Sequence, residues 1–333
     1  MPGPKRKPAA CCLCRVARFA GTRVLVTGAA GFLGAHLTRA LLRHGADVHA
    51  LVRPSTRLDR IADVVDDVHL HQAALEDERQ MRRIAETARP ELIFHLAVQR
   101  DDATAADRQA ALRTNVFGTA MLLEATATQE HRRLIHLGSS LEYGGTTEAL
   151  PEAAATAPLT FYGATKAAAT LLCQQAVRAT GREIVILRPF HLFGPWEHPA
   201  HLVPTAIRAA LHGQALPLTA PGLRRDWLFV ADAVDACLLS AVADNVAGEV
   251  INVAAGQDWS NHEVVTAIGE ITARPLDVQT GAFPARQWDA ERKVADIAKA
   301  RQLLGWTPRY SLRDGLAMTV DWTRSRSAED DRE

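Results

Sequence analysis

The stretch Arg23–Gly34, RVLVTGAAGFLG, decides the fold. Its first five residues read as a strand whose run after Arg23, Val24–Thr27, is apolar and mostly β-branched, the mark of a strand buried on both faces. Thr27–Gly34 (TGAAGFLG) then turns directly into an amphipathic helical stretch reaching about His44. Gly28 permits a tight turn, Gly31 lets backbone amides approach a pyrophosphate, and Gly34 lets the helix pack close to the sheet. The helix opens at Phe32 and Leu33, where its N-terminal partial charge favours phosphate. Glycine turns also serve plain geometry; placement between a first strand and a first helix makes this one a dinucleotide signature.

Outward from that turn, short apolar runs alternate with helical stretches. Strands are expected at Asp47–Val52, Asp67–His71, Glu91–Leu96, Arg133–Leu137 and Glu183–Leu187, and helices near 77–88, 104–129 and 160–180. Apolar strands separated by helices imply an α/β fold with a doubly wound parallel Rossmann sheet. After about Arg188 a series of prolines breaks the rhythm. WLFV (227–230) and EVINVA (249–254) are expected to return to the main sheet. The expected organisation is a disordered extension over 1–20 and a dinucleotide-binding domain over 21–190 with returning strands at about 225–255. Residues 191–224 and 256–324 form a smaller C-terminal substrate-binding cap, and 325–333 a disordered tail.

Composition excludes several classes of protein. The 333 residues carry 38 Lys+Arg against 38 Asp+Glu, so no net positive field recruits nucleic acid or an anionic membrane. A hydrophobic fraction of 47% excludes wholesale disorder. No apolar run reaches the roughly 18 residues that span a bilayer. The five cysteines make no disulfide framework, and no ligand spacing marks a metal site. Cys173 and Cys237 read as buried apolar residues in a reducing, cytoplasmic compartment.

The end of the second strand bears on the cofactor. An NAD site presents an acid there for the ribose hydroxyls. Here Arg53, Ser55, Thr56 and Arg57 occupy the segment, and the first acid is Asp59. The guanidinium fork suits a 2′-phosphate, so NADP is expected over NAD; the plain alternative is a solvated basic loop.

Tyr162-Gly-Ala-Thr-Lys166 opens a helix, and its first and last residues share one face. A free phenol titrates near pH ~10, so general acid–base work needs a neighbouring positive charge. Lys166 and an oxidised nicotinamide both supply one. A hydroxyl from Ser139 or Ser140, just beyond the strand Arg133–Leu137, completes a site at the carboxyl ends of the sheet.

Taken in order, several segments resemble the extended short-chain dehydrogenase/reductases of the nucleotide-sugar epimerase/dehydratase branch. They are TGAAGFLG, HLA (95–97), NVFGT (115–119), GSSLEYG (138–144), YGATK (162–166), RPFHLFGP (188–195), RDWLFVAD (225–232) and LGWTP (304–308). The resemblance implies Ser139, Tyr162 and Lys166 as the catalytic triad. It adds Leu96, Ala97, Asn115 and Pro189 to the cofactor site. It also places Ser140, Glu142, His191, Arg225 and Arg286 at the substrate, with Arg286 on its diphosphate. A homodimer formed through the helices near 104–129 and 160–180 is implied as well.

Departures from the family pattern matter. The 4,6-dehydratases carry an Asp-Glu pair after their catalytic Thr, where this chain has Ser140 and Leu141. His191 stands where Asn is common, and Ala74 where an Asp meets adenine. The expected activity is NADP(H)-dependent reduction of the keto group, at C4, of a nucleotide-activated deoxysugar. The alternatives are an epimerase with tightly bound NAD(P) and a non-catalytic NADP-binding sensor.

Overall fold

The computed structural model describes residues 19–100, 103–128, 131–145, 148–283 and 292–330. Six strands, β1 (Arg23–Thr27), β2 (Asp47–Val52), β3 (His69–Gln72), β4 (Leu92–His95), β5 (Arg133–Leu137) and β6 (Ile184–Pro189), join Val250–Val253 in one parallel sheet. The order is Val250–Val253, β6, β5, β4, β1, β2, β3. The chain reverses direction across the sheet between β1 and β4, which opens a crevice beyond their carboxyl ends.

Alternation along β1 builds two layers. Val24 and Val26 face a core with the helices Phe32–Arg43 and Val230–Val242. Leu25 faces the other, with Glu78–Ala88, Gly118–Ala125 and Phe161–Thr180. A further apolar cluster, including Phe193, Ile207, Trp227, Val264 and Leu316, gathers the elements beyond β6.

Several expectations are corrected. WLFV does not enter the sheet: Val250–Val253 takes the open edge of β6, and Trp227–Phe229 pairs in parallel with His191–Phe193. The stretch expected as one helix over 104–129 is three pieces, Ala105–Ala111, a π-helical turn over Leu112–Phe117, and Gly118–Ala125. β3 starts at His69 because Ala62–Asp67 closes into a 3-10 turn. The polar C-terminus is helical from Leu312 to Asp330, and Arg326 stacks 4.2 Å over the Trp196 ring. Of the expected extension, 1–18 lies outside the described residues, whereas Phe19 is buried against the core and stacks on His44. Among the described residues, no helix is long and apolar enough to cross a membrane.

Candidate active site

Gly28 adopts φ +71°, and its amide donates to Leu51 O at 2.9 Å, which fixes the turn against β2. A Cβ on Gly28 would sit 2.8 Å from Ala97 Cα, and one on Gly34 only 2.1 Å from Gly28 O. Gly31 caps the helix Phe32–Arg43 without any side-chain hydrogen bond, and no acid occupies the first turn. The helix N-terminus is thereby left for an external anion. A cleft of about 390 Å³ adjoins it, lined by Gly31, Arg53, Ser55, Thr56, Arg57 and Ala97 among others. The cradle and the donors at its end fit the pyrophosphate and ribose of a dinucleotide.

Within that cleft Arg53 Nη1 donates to Gln99 Oε1 at 2.9 Å, and Arg57 pairs with Asp59 at 2.7 Å. Leu96 lines the wall, and Ala97 N donates to Thr27 Oγ1. Pro189 ends β6 half-buried. Phe32 and Leu33 pack their side chains against the apolar cluster beyond β6. Asp77, displaced from the expected adenine position, caps the helix Glu78–Ala88 through Gln80 N, while Glu76 lines the cleft.

Thr160 caps the helix Phe161–Thr180 by accepting from Gly163 N at 2.9 Å. A Cβ on Gly163 would meet Leu141 O at 2.2 Å, so glycine there lets the helix press onto the turn after β5. The result is a hydrogen bond between the Tyr162 phenol and the Ser139 hydroxyl, whose oxygen also accepts from Leu141 N at 3.1 Å. Burial holds the phenol above its ordinary value, while the Arg100 guanidinium and Ser139 pull it down. Lys166 is buried one turn on, and burial lowers its ammonium to about 8. Ser139 and Tyr162 thus meet at the turn after β5, and Lys166 lies buried one turn along the same helix.

Glu142 does not face the crevice. It is 0% exposed, with Oε1 accepting from Ser139 N at 2.7 Å and Oε2 from Arg188 Nε at 2.9 Å. The expected contact with a sugar hydroxyl is therefore corrected to a brace under Ser139. Asn115, buried on the π-helical turn, donates to Gln99 O and Thr165 Oγ1 and accepts from Gln99 N, which ties the segment after β4 to the helix Phe161–Thr180. Ser140 is buried in the 3-10 turn Ser140–Glu142. His95 and His136 are core residues, as their strands suggest; His95 sits 2.8 Å from Thr27 Oγ1 and 2.9 Å from Thr119 Oγ1.

Across the crevice His191 packs edge-on against Trp227 at 4.1 Å. Arg225 lies in register with Lys293, and burial together with Arg225 lowers Lys293 to about 8. Arg286 lies outside the described residues. Arg100, which sequence reasoning passed over, places its guanidinium 5.7 Å from the Tyr162 ring centre. Its position just past HLA, at the carboxyl end of β4, was the available signal.

A sequence model of the NAD-dependent epimerase/dehydratase family matches residues 24–254. The chain belongs to that family. Its members are enzymes, and so is this one. A dTDP-glucose 4,6-dehydratase from Neisseria meningitidis serogroup B is 31% identical over 330 residues, covering 90% of this chain and 92% of the relative. Among solved structures, UDP-glucose 4-epimerase from Thermotoga maritima with UDP-glucose matches at TM-score 0.85 and 27% identity, over 91% of this chain and 99% of that one. UDP-glucuronic acid 4-epimerase from Bacillus cereus, with UDP-glucuronic acid and NAD, matches at TM-score 0.83 and 25% identity over the same 91% and 99%. Family membership agrees with the nucleotide cradle and with the Ser-Tyr-Lys arrangement.

Proposed function

We propose that this epimerase/dehydratase-family member reduces the keto group, at C4, of a nucleotide-activated deoxysugar. The observation that carries this reading is a Ser139–Tyr162–Lys166 constellation with Ser140 and Leu141 directly after the serine and Glu142 locked beneath it. Elimination of water needs an acid and a base beside the reacting carbons. The turn that would supply them presents a hydroxyl and an apolar side chain, which argues against a dehydratase despite the relatives of that name.

When bound, the dinucleotide supplies the hydride. Ser139 holds the carbonyl oxygen through its hydroxyl, and Tyr162, kept as a phenol by burial, donates the proton. Lys166 positions the nicotinamide ribose and stabilises the phenolate that remains. Arg53, Ser55, Thr56 and Arg57, with no carboxylate before Asp59, support acceptance of a 2′-phosphate and hence NADP.

Epimerisation is the second reading, favoured by the epimerase neighbours, one of which holds NAD. Incubation of the purified chain with NADPH and a thymidine-diphospho-4-keto-6-deoxysugar separates the two. Stoichiometric consumption of NADPH is expected. Co-purifying NAD with no net consumption would establish the epimerase instead.

A further inference from the structure

At the end of the sheet remote from the crevice, β2 and β3 gather one carboxylate and three imidazoles. Asp47 and His49 lie two residues apart on one face of β2, and His69 and His71 share that face of β3, His49 in register with His69. Asp47 Oδ1 is 3.0 Å from His69 Nε2, and Asp47 Oδ2 is 4.0 Å from His49 Nε2. One ligand atom from each of the three falls within 4.8 Å of the others. We propose that Asp47, His49 and His69 form a site for a divalent transition metal of the zinc type, oriented by His71.

Two imidazole nitrogens and a carboxylate oxygen suit a borderline ion, and three protein ligands leave one position for water. Ligand atoms around tetrahedral zinc lie about 3.4 Å apart, so the present spacing needs only small side-chain rotations. His49 Nδ1 lies 3.0 Å from His71 Nε2. With the proton on His49 Nδ1, that contact turns the His49 Nε2 lone pair toward Asp47 and His69, the usual device for aiming a metal-binding imidazole. A simple Asp47–His69 ion pair accounts for two of the four residues and leaves the orienting His49–His71 contact unexplained. Arg23, in register with Asp47, is engaged by Glu91 at 3.4 Å and by Arg89 O at 2.8 Å, so it does not occupy the Asp47 carboxylate. No linear motif announced the site because its ligands come from two strands. A metal there would tie the edge strand β3 to its neighbour, far from the catalytic turn.

The test uses Co²⁺ and Zn²⁺ on the full chain with Cys11, Cys12 and Cys14 replaced by Ser, so that those thiols do not compete. Expected are one Co²⁺ per chain with the visible absorption of a tetrahedral ion, and a higher Tm with Zn²⁺. His69→Ala and Asp47→Asn, both on solvent-facing side chains, should each weaken binding by about tenfold or more. His212→Ala, an exposed histidine elsewhere, should leave it unchanged. No stoichiometric binding, or binding undiminished in His69→Ala, overturns the proposal.

Discussion

Arg188 grips Glu142 through two guanidinium nitrogens, Nε at 2.9 Å and Nη2 at 2.8 Å from the same oxygen, leaving the other oxygen for the Ser139 amide at 2.7 Å. Both side chains are buried, and Arg188 also lies 4.5 Å over the Tyr143 ring. Removing one partner strands an uncompensated charge. Arg188→Met should therefore lower stability by about 3–5 kcal/mol, read from urea unfolding. Because Glu142 fixes the serine turn, Glu142→Gln should depress kcat more than KM. Wild-type stability in Arg188→Met would remove the brace from the account.

Tyr162 is the proposed proton donor, hydrogen-bonded to Ser139. Tyr162→Phe removes only the hydroxyl, so the fold and the dinucleotide cradle should persist. Turnover should fall by about 10²–10⁴-fold, the usual worth of a positioned acid or base. Equal activity in the variant would remove Tyr162 as the proton donor.

Lys166 links the site to pH-dependent stability. Burial lowers its ammonium from 10.5 to about 8 in the folded chain. Between those values the unfolded chain binds the extra proton, so stability rises with pH through that window; below about 8 the penalty of burying the charge is complete. Lys166→Met should gain on the order of 3 kcal/mol at pH ~7, and its advantage over wild type should shrink toward pH ~10. Parallel urea midpoints for the two proteins across that range would contradict the shift.

The parts legible in sequence are those set by local pattern. Arg23–Gly34 declares its strand, turn and helix because each glycine answers a backbone demand within a few residues. Tyr162 and Lys166 are readable because helical spacing places them on one face. What escaped depends on contacts distant in the chain. Glu142 meets Arg188 across 46 positions. Trp227–Phe229 has the composition of a sheet strand, yet it pairs with His191–Phe193 while Val250–Val253 takes the edge of β6, a choice between partners that composition does not encode. The helical tail carries a polar surface sequence, and its partner, Trp196, lies in a distant loop.

Arg53 carries the proposed cofactor preference. Its guanidinium reaches across the cleft to Gln99 at 2.9 Å and is exposed to an incoming phosphate. A hydrogen bond to a charged group is worth about 1.5–3 kcal/mol. Arg53→Ala should therefore raise the KM for NADPH by roughly tenfold to a hundredfold and leave that for NADH nearly unchanged. An equal effect on both cofactors would assign Arg53 to the shared part of the dinucleotide.

Assembly is proposed on the outer face of the catalytic helix. Leu171 is 57% exposed on Phe161–Thr180, and Phe117 is 59% exposed on the π-helical turn that packs against the same helix. Leu112, at the start of that turn, is 40% exposed. Single exposed apolar residues are ordinary, but three large ones on two packed elements suit a surface that a second copy covers. Sedimentation should show a dimer for the wild type and a shift to monomer for Leu171→Asp. That variant should keep its fold, since the side chain lies outside the core. A monomeric wild type at micromolar concentration, or an unshifted Leu171→Asp, would place the interface elsewhere.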